Sequence, residues 1–152
     1  MSAPPVTIRP AQTSDLEAMG GLLDELFSLE ADFVPDRAKQ RKGLELLLGR
    51  KGARVLAAQA GDQLVGMCSG QVVISTAEGG PAVLVEDVVV GKNWRGQGVG
   101  AGLLKSLAQW AREQGAARLQ LLADRGNQPA LAFYQRLGWL RTNLICLRHR
   151  EA

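Results

Sequence analysis

The sequence predicts an α/β sandwich around a mixed sheet. Three observations carry that expectation: a hairpin pattern in the first half, a glycine-rich run feeding an amphipathic helix, and a strand straight after that helix. Arg54 to Ala60 and Leu64 to Ser75 read as two strands joined at Gly61-Asp62, a turn pair placed where antiparallel strands need one. Downstream come a strand from Ala82, the run Arg95-Gly96-Gln97-Gly98-Val99-Gly100, a helix ending near Gln114-Gly115, and a strand over Arg118 to Ala123. That order is a crossover unit, so its two strands should be parallel neighbours. With 152 residues and 46% apolar content, the chain suits one domain spanning 1–152, able to bury about two-thirds of its unfolded surface.

The remaining elements follow in order. Val6-Thr7-Ile8-Arg9 reads as a first strand. Ser14-Asp15-Leu16-Glu17 fits a capping box, and the helix it opens runs toward Glu30 on Leu16, Met19, Leu23, Leu26 and Phe27. A second helix is expected from Asp36 to Leu48. In the helix after the glycine run, Val99, Leu103, Leu107 and Trp110 form one apolar stripe. Asn127 caps a short helix with Pro129 in its first turn and Gly138 at its end, and Trp139 to Leu147 supplies the closing strand or strands. Cys68 and Cys146 fall in apolar strand-like segments without metal-ligand spacing, so both are expected as buried thiols and no metal is expected.

Charge narrows the partners. Eighteen basic against 15 acidic residues give a net +3, scattered apart from Arg37-Lys39-Arg41-Lys42 and Arg148-His149-Arg150. No aromatic residues interleave with the first group, which argues against nucleic acid. No apolar run reaches the length of a membrane span, and the first residues lack a signal-peptide pattern, so a cytoplasmic protein with no membrane partner is expected.

Glycines at alternate positions 96, 98 and 100 let the backbone approach a ligand closely, and the following helix adds unpaired N–H groups and its positive dipole end. This is chemistry for holding phosphates. A dinucleotide signature is met only in its looser form, with Ala101 in the last place, and the acid expected about 20 residues beyond is missing. A P-loop fails because no Gly-Lys-Ser/Thr follows. The run does fit Arg/Gln-x-x-Gly-x-Gly/Ala through Arg95, Gly98 and Gly100, which resembles the pyrophosphate loop of the GCN5-related N-acetyltransferase (GNAT) superfamily. Asn127-Gln128-Pro129-Ala130, Phe133-Tyr134 and Leu137-Gly138-Trp139 resemble that family's second block, and Val6 to Leu16 its opening strand and helix.

The resemblance implies a GNAT-like mixed, mostly antiparallel sheet with a central parallel strand pair and helices on both faces. It implies acetyl-CoA as co-substrate and direct transfer to a primary amine, with a small molecule as the expected acceptor. Backbone groups of Val88, Val89 and Val90 are implied to pair with the pantetheine arm, Arg95, Gly96, Gln97, Gly98, Val99 and Gly100 to hold the pyrophosphate, and Asn127 and Tyr134 to reach the cofactor. Glu30 and Phe33, between the first two helices, and Asp87 are implied acceptor contacts. Family members are often homodimers, and Leu144-Ile145-Cys146-Leu147 reads either as an edge strand pairing between subunits or as a core strand.

Acetyl transfer needs a neutral amine. An alkylammonium of pKa near 10.4 is only about one part in two thousand neutral at pH 7. The central strand offers Glu86 and Asp87, which strict alternation sends to opposite faces of a sheet that is apolar on both. Glu86 is the expected base, acting through water, and Asp87 is mainly structural. Tyr134, at the position of the family's general acid, is assigned to the leaving thiolate. The alternatives are an inactive acyl-CoA-binding sensor of the same fold and an NAD-type domain, the latter lacking its ribose-binding acid.

Overall fold

The computed structural model describes residues 4–30 and 32–151. These fall into two compact units, Met1–Leu121 and Leu122–Ala152. The first holds five strands, β1 (Val6–Pro10), β2 (Ala53–Ala60), β3 (Gln63–Ser75), β4 (Gly80–Val90) and β5 (Leu119–Leu121), and three helices, α1 (Leu16–Leu29), α2 (Arg37–Leu48) and α3 (Val99–Glu113). Strand order follows the chain, β1-β2-β3-β4-β5. Every pairing is antiparallel except β4 with β5, which is parallel as the crossover requires.

Alternation along β3 decides which helices cover which face. Met67 joins Leu16, Met19, Leu22 and Leu23 of α1, Leu44 of α2, and Val55 and Val89 in one buried cluster. On the opposite face the residues are small, because α3 lies close. A Cβ added at Gly66 would meet Leu103 Cδ1 at 3.2 Å, and one at Gly70 would meet Leu107 Cδ1 at 3.0 Å. Leu103 and Leu107 are fully buried, each stabilising the fold by about 2 kcal/mol. Helices therefore sit on both faces of a mostly antiparallel sheet.

The start of α1 differs from the sequence expectation. A short 3-10 turn, Thr13–Asp15, precedes the helix, and the reciprocal contact is made by Gln12 and Asp15, not Ser14 and Glu17. The Asp15 carboxylate accepts from the Gln12 N–H at 2.7 Å and from Arg9 Nη1 and Nη2 at 2.8 and 2.9 Å. Glu17 is drawn away by Arg37, whose Nη2 donates to it at 2.8 Å. A bidentate arginine outweighs a local cap here.

The second unit contains α4 (Gln128–Arg136). Asn127 caps it by accepting from the Ala130 N–H at 3.2 Å, Pro129 lies in its first turn, and Gly138 leaves it with φ +92. Two expectations fail in this unit. Residues 139–147 form no strand: Leu140, Leu144, Ile145 and Leu147 are exposed, and the Leu144 N–H turns to Thr142 Oγ1 at 3.2 Å. Strand propensity makes a strand only where a partner strand and a covered face exist. Consequently Cys146 is exposed, while Cys68 in the first unit is buried as expected. β5 is likewise shorter than the expected span 118–123.

Arg9 holds Asp15 below the usual carboxylate range. A depressed native pKa stabilises the fold above the unfolded value, and that stabilisation is lost as pH falls through the native one. Asp15→Asn is therefore expected to lower unfolding free energy by about 2 kcal/mol near neutrality. In urea titrations the gap to the unsubstituted protein should close in acid.

Candidate active site

Two features of β4 create the site. β5 pairs only with Val83, Leu84 and Val85, so the ladder ends at Val85 opposite Leu121. Beyond it, no described strand pairs with residues 86–90 on that side, and a strand edge without a partner is one that an extended ligand can pair with. The second feature is a bulge. Ser69 stands opposite Glu86 and Met67 opposite Val89, so β4 carries one residue more than β3 across this step. Asp87 sits within it at φ +55, the one described non-glycine residue with positive φ. A left-handed backbone at a carboxylate residue interrupts the alternation read from sequence, and such outliers gather at functional sites.

The bulge sets the Asp87 environment. Its carboxyl is pushed up to about 6, chiefly by burial and next by the charge of Glu86; a hydrogen bond from Ser69 opposes the shift, and the charge of Glu30 adds to it. Glu86 itself is exposed. Glu30 and Glu86 thus both lie within electrostatic reach of Asp87. Beside them, burial pushes the Cys68 thiol up to about 12, so it stays protonated and is no nucleophile.

Glu30 follows α1, and the segment that it begins is anchored by a polar network. Arg37 donates to Glu17 Oε1 and Asp24 Oδ2, each at 2.8 Å. Gln40, nearly buried, accepts from the Asp36 N–H and donates to Gly20 O and Asp24 Oδ1. Phe33 rests on Phe27, ring centroids 5.5 Å apart. Neither Arg37 nor Gln40 stands out in the sequence as a support for this segment. Apart from the Asp36 N–H, their partners lie on the preceding helix, and only the packing of α1 against α2 brings them together.

β4 leads through a 3-10 turn, Lys92–Trp94, into the glycine run. Gly96 and Gly98 adopt φ +72 and +84, conformations that L side chains rarely adopt. Gly98 is the N-cap of α3 and offers no side-chain acceptor, and no acid lies in the first turn. The first N–H groups of α3 therefore point outward at the positive end of its dipole, a ready anion site. Arg95 leans back on β4, Nε donating to Val90 O at 3.0 Å, and Gln97 Nε2 donates to Asn93 O at 3.2 Å.

Asn127 and Tyr134 belong to the second unit. Tyr134 sits edge-on to Phe133 and Trp139, with centroids 5.2 and 5.8 Å away. Asn127 serves as the α4 cap.

Residues 22–139 match the model of the acetyltransferase (GNAT) family. The chain belongs to that family. Over 74 residues it is 34% identical to streptothricin acetyltransferase of Streptomyces lavendulae, covering 49% of this chain and 39% of that protein. Over 59 residues it is 34% identical to thialysine N-epsilon-acetyltransferase of Bos taurus, covering 39% and 35%. The matches thus span about two-fifths or less of these relatives. Its fold is shared with an aminoglycoside N-acetyltransferase solved with CoA, at TM-score 0.85 and 18% identity over 99% of this chain and 98% of that one. A transcriptional regulator from Bacillus halodurans shares it too, at TM-score 0.83 and 24% identity over 96% and 100%. Among the described residues no helix is long and apolar enough to cross a membrane.

An elevated Asp87 pKa has a stability consequence. Between the unfolded value near 3.9 and about 6 the native carboxyl holds its proton more tightly than the unfolded one, so its ionisation weakens the fold as pH rises through that window. Asp87→Asn is expected to raise unfolding free energy by about 1–3 kcal/mol near pH 8 and to give no gain below about pH 4. Denaturant melts at the two pH values check this.

Proposed function

We propose that this GNAT acetyltransferase moves an acetyl group from acetyl-CoA to a primary amine on a cationic small molecule, by direct transfer in a ternary complex. The observation that carries the reading is the bulged, half-open β4, which sets a carboxyl of raised pKa beside an unpaired strand edge that runs into the glycine loop. The loop suits a pyrophosphate because its two left-handed glycines and the uncapped start of α3 offer backbone N–H groups, with the Arg95 and Gln97 side chains beside them. The open backbone of Val88, Val89 and Val90 suits an extended pantetheine. When bound, acetyl-CoA supplies an activated thioester carbonyl.

In this reading Asp87, not Glu86, is the base. Glu86 is exposed, whereas the Asp87 carboxyl is held at about 6, nearer the working range of a general base. The acceptor first sheds its ammonium proton to solvent, which frees the nitrogen lone pair. The neutral nitrogen then bonds to the carbonyl carbon and becomes acidic, and Asp87 takes its second proton while the C–S bond breaks and the thiolate departs. Glu86, Glu30 and Phe33 receive the rest of a cationic acceptor. The names of the streptothricin and thialysine acetyltransferases support an amine acceptor of this kind. Tyr134 is assigned by family position to the departing thiolate; full transfer from a phenol of pKa about 10 to a thiolate of pKa about 8.5 is uphill by about 2 kcal/mol, so a stabilising hydrogen bond suffices. Asn127 remains a cofactor contact by the same resemblance. A homodimer in the cytoplasm is the accompanying assignment.

Thiol release from acetyl-CoA across a panel of mono- and diamines tests the reading. Release with cationic amines is expected; thermal stabilisation by acetyl-CoA with no release for any amine would instead identify an acyl-CoA-binding sensor. Asp87→Asn should reduce kcat/KM by at least about 100-fold, and Glu86→Gln by much less. The reverse order returns the base to Glu86. Tyr134→Phe is expected to lower kcat by about tenfold while leaving acetyl-CoA affinity within about twofold, and unchanged turnover removes Tyr134 from the chemistry.

A further inference from the structure

Ser69 is a buried hydroxyl, 1% exposed, on a stretch of β3 whose neighbours serve packing. It stands opposite Glu86, at the step where β4 inserts its extra residue. Its Oγ lies 3.2 Å from the Glu86 carbonyl oxygen and 3.4 Å from Asp87 Oδ2. A hydroxyl owns one proton, so it donates to one of these oxygens at a time. A charged Asp87 draws that proton. A protonated Asp87 is itself a donor, and Ser69 accepts from it by turning its own proton to the Glu86 carbonyl.

We propose that Ser69 is a positioning residue for Asp87, its hydroxyl donating to Oδ2 while the carboxyl is charged and rotating to the Glu86 carbonyl once the carboxyl has taken a proton. The proposal rests on the reading of Asp87 as the base and deepens it. Both protonation states of Asp87 keep a partner without any movement of backbone, so no buried polar group is left unpaired during turnover. Glu86 on the same strand and Glu30 after α1 are the charged groups acting on Asp87, both opposing its ionisation, with Ser69 the group that favours it. The neighbouring Cys68 thiol stays neutral.

The test is a carbon-13 carboxyl titration of Asp87 by NMR in the unsubstituted protein, Ser69→Ala and Ser69→Thr, beside kcat/KM against pH. Ser69→Ala is expected to move the Asp87 midpoint upward and to lower kcat/KM near pH 6 by about two- to fivefold, with little change near pH 8.5, as fits one long hydrogen bond to a charged group. Ser69→Thr should restore both. If the alanine variant does not fold, Ser69→Cys, similar in size but a far weaker donor, reads the same shift. An Asp87 midpoint that does not move when the hydroxyl is removed overturns the proposal. Failure of the underlying reading shows elsewhere: Asp87→Asn then keeps the pH profile of the unsubstituted protein.

Discussion

The strand β4 is paired along nearly its whole length on one side and over only three residues on the other, and the rest of the molecule is arranged around that asymmetry. Pairing with β3 keeps Val83, Val85 and Val89 in the core. Brief parallel pairing with β5 closes the crossover and then releases the edge. A parallel neighbour requires the chain to return across the sheet, and α3 makes that return. The N-terminus of α3 consequently starts just beyond the end of β4, so the uncapped helix start and the open edge adjoin. Gly66 and Gly70 make this possible by letting Leu103 and Leu107 come down onto β3.

Within that frame the sequence is legible wherever the determinants are local. A turn pair between two apolar runs marks the β2–β3 hairpin. A glycine run between a strand and an amphipathic stripe marks the crossover, and Asn127 with Pro129 marks the start of α4. What escapes depends on register or on distant partners. Nothing between Val83 and Val90 signals that Asp87 leaves the β region, because a bulge is a mismatch in count between two strands and exists only once they are paired. For the same reason the sequence does not show that Glu86 is exposed while the Asp87 carboxyl is raised by burial. Arg9 and Arg37 redirect the cap of α1 through contacts that no local spacing encodes. Residues 139–147 carry the apolar pattern of a strand but fold without a strand partner, so propensity alone misleads there.

Two carboxylates acting on a third are a poor choice for stability, and in the proposed reading a sensible one for an acceptor site. Glu30 and Glu86 each raise the cost of ionising Asp87, and the fold accepts that cost because burial of α1 and α3 against the sheet supplies the compensation. In the proposed reading, a cationic amine entering beside Glu30 and Glu86 relieves their repulsion of Asp87, so part of its binding free energy comes from strain already present in the free protein.

In the proposed reaction, with Asp87 as the base, the same relief constrains when the proton moves. An ammonium next to carboxylates becomes a weaker acid, and a carboxyl next to an ammonium becomes a weaker base, so the two pKa values separate on binding. Transfer from the free ammonium to Asp87 is therefore less favourable inside the complex than the isolated values suggest. That first proton must still leave before attack, because an ammonium has no lone pair; once the neutral nitrogen has bonded to the acetyl carbon it turns strongly acidic, and its second proton is easily taken. The electrostatics that recruit the acceptor thus favour removal of its final proton with or after C–N bond formation, the stage at which a base near 6 is strong enough.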